Sequence, residues 1–275
     1  MTRPSAATEA ADIEIRDVGV RFPSAGGEVT ALAGLSLSVP AGSFTVVIGP
    51  NGCGKSTLLR LIAGLIEPSS GSILVGGARP RPGSDRVGTA FQQPRLLPWR
   101  SVIDNVALPL EIDGVAEPER RSRASDALER VGLDGIGALR PRELSGGMAQ
   151  RAGLARALIG DPPVLLLDEP FSALDALSRE TFDVELQRLW LDRGRTIVLV
   201  THSVSEAVML ADRVVVMTPR PGRVATVVEV DLPRPRPADL HGVAGATAPT
   251  AEIRRALGEA HATELRPWVE QRGVA

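Results

Sequence analysis

Several residue types are scarce or missing in this 275-residue chain. Tyrosine is absent altogether, and cysteine occurs once, as Cys53. A single thiol excludes an internal disulfide and fits a reducing compartment. Lysine is almost missing as well: 30 of the 31 basic side chains are arginine, and Lys55 is the exception. A chain that uses arginine wherever either cation serves is expected to keep lysine where a compact ammonium on a flexible stem is needed. No apolar run approaches the roughly 18 residues of a membrane-spanning helix. Met1 to Asp17 has no apolar stretch and carries Glu9, Asp12 and Glu14, so nothing there reads as a signal peptide. The formal charge of −2 offers no basic excess for a nucleic-acid or anionic-membrane surface.

What is present is ordinary globular composition, 43% hydrophobic and 23% charged, which excludes a wholly disordered or fibrous chain. Ile13–Phe22 and Thr30–Val39 alternate like paired strands around Pro23, Gly26 and Gly27. Phe44–Ile48 reads as a buried strand, Ser56–Leu65 as a helix, and Gly71–Val75 and Val87–Phe91 as strands. From Ser101 to Arg142 the pattern is helical only, with Ile103–Ile112 and Pro118–Val131 as the two helices. Helices at Gly147–Ile159, Leu177–Arg193 and Val204–Ala211 then alternate with strands at Val164–Leu167, Thr196–Val200 and Arg213–Met217. That alternation predicts an α/β fold with a parallel sheet covered by helices on both faces. Val224–Val230 is strand-like, the prolines at 233, 235 and 237 interrupt the pattern, and Glu252–Gln271 has helical apolar spacing.

The first chemical motif is Gly49-Pro50-Asn51-Gly52-Cys53-Gly54-Lys55-Ser56, which fits G-x-x-x-x-G-K-[ST] between a buried strand and a helix. Glycines let consecutive backbone N–H groups wrap phosphate oxygens, and the helix N-terminus adds its dipole. Lys55 is placed to reach the β- and γ-phosphates of a nucleotide, and Ser56 to ligate Mg²⁺. Cys53, beside Lys55 and a helix N-terminus, is either a reactive thiol with a lowered pKa or a tolerated small residue at a variable position. The second motif is Val164–Leu167 followed by Asp168 and Glu169: an apolar strand ending in two acids at the edge where ligands gather in open α/β sheets. Asp168 suits Mg²⁺, and Glu169 suits polarising the attacking water.

Leu144-Ser145-Gly146-Gly147-Met148-Ala149-Gln150-Arg151 closely resembles the ABC-transporter signature, with methionine where glutamine is commoner. Other segments of that family's pattern follow in order. Gln92 matches the Q-loop glutamine, a ligand to Mg²⁺ near the attacking water. Ser172-Ala173-Leu174-Asp175 matches the D-loop, His202 the switch histidine at the γ-phosphate, and Phe22 stands where an aromatic stacks on adenine. The resemblance covers about residues 13–235. It implies a P-loop NTPase core with a parallel-rich sheet, an N-terminal antiparallel β-subdomain and an inserted helical subdomain. The expected organisation is an ATP-binding domain at 1–237, with the helical part at about 95–160, then a linker and short C-terminal helix at 238–275.

The ATP contacts so implied are Phe22, Gly49, Pro50, Asn51, Gly52, Cys53, Gly54, Lys55, Ser56 and Thr57, with Glu169, His202 and Gln92 in catalysis. Ser56, Gln92 and Asp168 are implied for Mg²⁺. Ser145, Gly146, Gly147 and Met148 are expected to act on ATP held by a second copy, with Asp175 between the two. The expected assembly is a homodimer on the cytoplasmic face of the membrane, joined to integral-membrane permease subunits and, through them, to a periplasmic or extracellular solute-binding protein. No nucleic acid is expected. Arg95-Leu96-Leu97-Pro98-Trp99, Asn105-Val106 and Pro219-Arg220-Pro221-Gly222-Arg223 are similar to segments of nitrate, sulfonate and taurine importers. Trp99 is expected against the membrane subunit. A DNA-repair or translation type of ABC ATPase is the alternative, although the former needs a coiled coil between the motifs and the latter two cassettes. A small P-loop kinase leaves the signature without a purpose.

Overall fold

The structure, a computed structural model, describes residues 9–24, 26–170, 174–240 and 242–272. Strands β1 (Ile13–Ser24) and β2 (Gly27–Val39) lead to β3 (Phe44–Ile48), α1 (Lys55–Ile62), β4 (Ser70–Val75) and β5 (Val87–Ala90). Helices α2 (Val102–Val106), α3 (Leu108–Ile112), α4 (Glu117–Arg130) and α5 (Gly146–Leu158) follow. Then come β6 (Val164–Asp168), α6 (Ala176–Arg193), β7 (Thr196–Val200), α7 (Val204–Leu210), β8 (Arg213–Met217), β9 (Val224–Glu229) and α8 (Thr247–Arg272).

The strands form two sheets. One is antiparallel, ordered β2-β1-β4; the other is ordered β5-β6-β7-β3-β8-β9. Its neighbours are parallel from β5 to β8, while β9 returns antiparallel to β8. Every residue of β3 and β7 is buried, as continuous apolar, β-branched runs require in a sheet covered on both faces. The two-residue period sorts those side chains into two cores. Val46, Ile48, Leu165 and Leu167 pack with the helical layer, whereas Val47, Leu166, Val198 and Val200 pack with α1 and the antiparallel sheet.

The expected helix over Ile103–Ile112 is two helices, divided at Ala107. Pro109 has no N–H to give the Asn105 carbonyl, so the ladder breaks there. The C-terminal helix is not short: it has 26 residues and begins at Thr247, ahead of the expected Glu252. Pro249 falls in its first turn, where proline is tolerated. Ile253 and Ala256 of α8 are buried, and the helix lies along α7, β8 and β9. Among the described residues no helix is long and apolar enough to cross a membrane.

The proline run hides a feature that periodicity does not reveal. Arg236 is buried among backbone carbonyls, donating to Val208 at 2.8 Å and Ala211 at 2.6 Å near the end of α7, and to Val230 at 3.0 Å and Leu232 at 3.1 Å. Its own backbone is bracketed by Gln187 of α6, through bonds of 2.6 and 2.8 Å. Arg234 pairs with Asp212 at 2.7 Å and lies 4.3 Å over the Trp190 ring. The segment is thereby tied to α6 and α7.

Candidate functional site

The loop from Gly49 to Ser56 leaves the buried end of β3 and runs into α1. Gly54 caps that helix with φ +110°, and a Cβ there would meet Leu32 Cδ2 at 2.6 Å, so only glycine fits. Lys55 is almost fully buried and its Nζ donates to the carbonyls of Gly49 at 2.9 Å and Pro50 at 3.0 Å. The one lysine is thus held inside its own loop. Asn51 and Gly52 are exposed at the tip, and Thr57 is half-buried in α1. Cys53 is 1% exposed and belongs to the core beneath the loop. Its side chain packs in that core, beneath the loop whose backbone it belongs to.

Ser56 Oγ donates to Asp168 Oδ1 at 3.1 Å, joining α1 to the end of β6. Burial pushes the Asp168 carboxyl upward, and the neighbouring Glu169 adds to the rise, against the Ser56 hydrogen bond. Glu169 leaves the strand with φ +43°, a left-handed conformation rare in non-glycine residues and concentrated at functional sites. Two further loops converge on it. Gln92 Nε2 donates to Glu169 Oε2 at 3.2 Å, and His202 Nδ1 lies 3.8 Å from the same oxygen. Gln92, Glu169 and His202 follow β5, β6 and β7, which are successive neighbours in the sheet. Adjacent parallel strands therefore deliver three polar side chains to one edge.

Ser145 caps α5, accepting from the Met148 N–H at 3.2 Å, and leaves Gly146 and Gly147 as the first helical residues. A Cβ on Gly147 would meet Leu174 Cδ2 at 2.6 Å. Asp175 caps α6, accepting from the Ser178 N–H at 3.0 Å and hydroxyl at 2.6 Å. Ser172 and Ala173 lie outside the described residues. Phe22 is half-buried, facing Val29 across the β1–β2 ladder and packed on the second core.

Sequence reasoning assigned nothing to a carboxyl pair behind this edge. Asp183 of α6 and Glu206 of α7 are both buried, and burial pushes both carboxyls up, Asp183 further raised by the charge of Glu206. Glu206 is also hydrogen-bonded to Thr201, the residue before His202. The spacing Ser203 to Glu206 signals a helix cap, which the Ser203 hydroxyl does provide, but it does not reveal a buried acid. Away from the edge, Trp99 is 68% and Ile112 76% exposed. The residues beside them, Arg100 and Glu111, are bridged at 2.6 and 3.1 Å.

The ABC transporter family model matches residues 32–172. Among curated proteins, the chain is 48% identical over 218 residues to the taurine import ATP-binding protein TauB of Burkholderia thailandensis, covering 79% of this chain and 84% of that one. It is 45% identical over 269 residues to the aliphatic sulfonates import ATP-binding protein SsuB of Rhodopseudomonas palustris, covering 94% and 92%. Among solved structures, the post-hydrolysis dimer of the ATP-binding cassette MJ0796 bound to ADP and Pi superposes with a TM-score of 0.73 at 30% identity, covering 79% of this chain and 98% of that one.

Proposed function

The chain belongs to the ABC transporter family, and from that premise we propose that it is the ATP-hydrolysing subunit of an importer for a small sulfonate, taurine or an alkanesulfonate, with nitrate the nearest alternative. The observation that carries the catalytic reading is the convergence of Gln92 and His202 on one oxygen of Glu169. Residues 1–237 form the ATP-binding domain, with the helical part inserted at about 95–160, and the remainder is an appended linker and helix.

Each side chain has a physical task. Lys55, the N–H groups of the phosphate loop and the N-terminus of α1 offset the charge of the triphosphate. The Glu169 carboxylate accepts a proton from the attacking water while Gln92 fixes its orientation, and His202 contacts the γ-phosphate. Phe22 stacks on adenine. Ser56, Asp168 and Gln92 would hold Mg²⁺; the raised Asp168 carboxyl beside the Ser56 hydroxyl suits a site completed by a cation. A dication bound there neutralises phosphate charge.

Two copies pair head to tail, so that Ser145, Gly146, Gly147 and Met148 of one close on ATP in the other, with Asp175 at the junction. Permease subunits in the membrane receive the motion through the surface around Trp99, and a solute-binding protein outside delivers the sulfonate. The protein sits on the cytoplasmic face and takes no nucleic acid. Glu169→Gln tests the arrangement, because it keeps the shape and removes the base. Turnover is expected to fall about 100-fold or more, with a dimer stabilised by Mg-ATP in size-exclusion chromatography. A variant that stays monomeric at saturating Mg-ATP, or that turns over normally, sinks it.

A further inference from the structure

The turn between β8 and β9, Thr218-Pro219-Arg220-Pro221-Gly222-Arg223, has no task in the mechanism above. It is a closed unit: the Thr218 N–H donates to the Arg223 carbonyl at 3.0 Å, and the Arg223 N–H to the Thr218 hydroxyl at 3.0 Å. Its tip packs against the phosphate loop. Arg220 Nε and Nη2 both donate to the Gly52 carbonyl, at 3.2 and 3.1 Å. Gly222 is wedged against β2, giving its N–H to Ala31 at 2.9 Å and accepting from Ala33 at 3.2 Å. A Cβ on Gly222 would lie 2.0 Å from the Cys53 carbonyl oxygen, so the turn touches the loop through two successive carbonyls.

We infer that Arg220 is a positioning residue for the phosphate loop, acting on ATP affinity through the Gly52 carbonyl. Gly52, at the tip of the loop with φ +75°, has a wide choice of backbone conformations. The other bond across this turn, from the Cys53 N–H to the Pro50 carbonyl, is long at 3.3 Å. Two donors from a planar guanidinium therefore add a second hold on the same peptide, on its carbonyl side, where the loop's own bond acts only through the N–H. Among the described residues Arg220 has no carboxylate within ion-pair distance, so its charge stands uncompensated beside a loop read as holding a polyanion. A guanidinium used only to secure a hairpin would have no need of this particular carbonyl, since Gly222 already anchors the turn to β2.

The inference rests on the phosphate-loop reading, and the test separates the two. Purified wild type, Arg220→Ala and Arg220→Lys are compared for Mg-ATP dissociation constant, KM and kcat, and for melting temperature without nucleotide. Arg220→Ala is expected to raise the dissociation constant and KM about fivefold, with kcat within about twofold and the nucleotide-free midpoint within about 2 °C. Arg220→Lys, which keeps charge and one donor, should recover part of the affinity. Unchanged affinity in Arg220→Ala overturns the inference, and so does an affinity loss matched by a large fall in the nucleotide-free midpoint. A wild-type protein that binds no Mg-ATP overturns the phosphate-loop reading itself.

Discussion

Gln150 Nε2 donates to the backbone carbonyl of Gln92 at 2.5 Å, across 58 positions of sequence. Gln150 lies one turn into α5, the helix that Ser145 caps, so the two glycines of the signature and the loop bearing Gln92 share a bond. Arg156, further along α5, reaches the Arg95 carbonyl at 3.1 Å. A displacement of α5 therefore pulls on the backbone that aims Gln92 at Glu169.

Trp99→Ala is expected to weaken capture of the membrane permease about tenfold or more, the scale of losing an aromatic anchor, while leaving Mg-ATP affinity unchanged. Trp99 is exposed, and its carbonyl is held by Arg140 at 2.7 Å, so the side chain is presented on a fixed backbone. Co-purification from co-expressed subunits, with nucleotide affinity measured on the free chain, checks both halves.

Asp183 and Glu206 give the fold a pH dependence of definite sign. Burial raises both carboxyls, Asp183 to about 8 and Glu206 to about 7, so the folded chain keeps protons that the unfolded chain releases above about pH 4. Arg179 opposes the shift, while Glu180 and Glu169 add to it. Stability from this pair is complete below the unfolded values and is lost as pH rises towards about 8. Asp183→Asn removes one titrating group, and the fall in melting temperature between about pH 6 and about pH 8.5 should be shallower than in wild type.

Arg236→Met should cost about 3 kcal/mol of stability, read as a lower urea midpoint with an unchanged slope. The cost comes from the carbonyls of Val208, Ala211, Val230 and Leu232, which lose their donor while staying buried. ATP hydrolysis at saturating nucleotide should persist below the new midpoint.

Cys53 should react slowly with an uncharged thiol reagent, at the same rate with and without Mg-ATP, because its side chain is covered by the core and not by nucleotide. Fast reaction slowed by Mg-ATP would put the thiol in the cradle.

Local sequence carries much of this molecule because its site is built from strand ends. The run Val164–Leu167 followed by Asp168 and Glu169 identifies both a buried strand and its ligand-facing edge, and the structure places β6 there. The phosphate loop is equally legible, since a backbone that wraps needs glycine at fixed spacings. Contacts between distant segments are not. Nothing near Arg236 or Arg220 in sequence tells which carbonyls they meet, and the partner of Glu206 lies on another helix. The division at Ala107 had a local sign in Pro109, but the apolar period across Ile103–Ile112 outweighed it.

The order of the larger sheet bears on how the protein is made. Thr45 of β3 pairs with Val198 of β7 on one side and Arg213 of β8 on the other. The ribosome therefore delivers the phosphate loop while both neighbours of its supporting strand are still unmade, and a nascent chain halted at Arg193 holds β3 with two open edges. The edge on which Gln92, Glu169 and His202 meet is complete only after β7 has been made, well behind the phosphate loop in chain order. Until then an apolar strand with unpaired backbone awaits its partners, and shielding it falls to the antiparallel sheet, α1 or a chaperone.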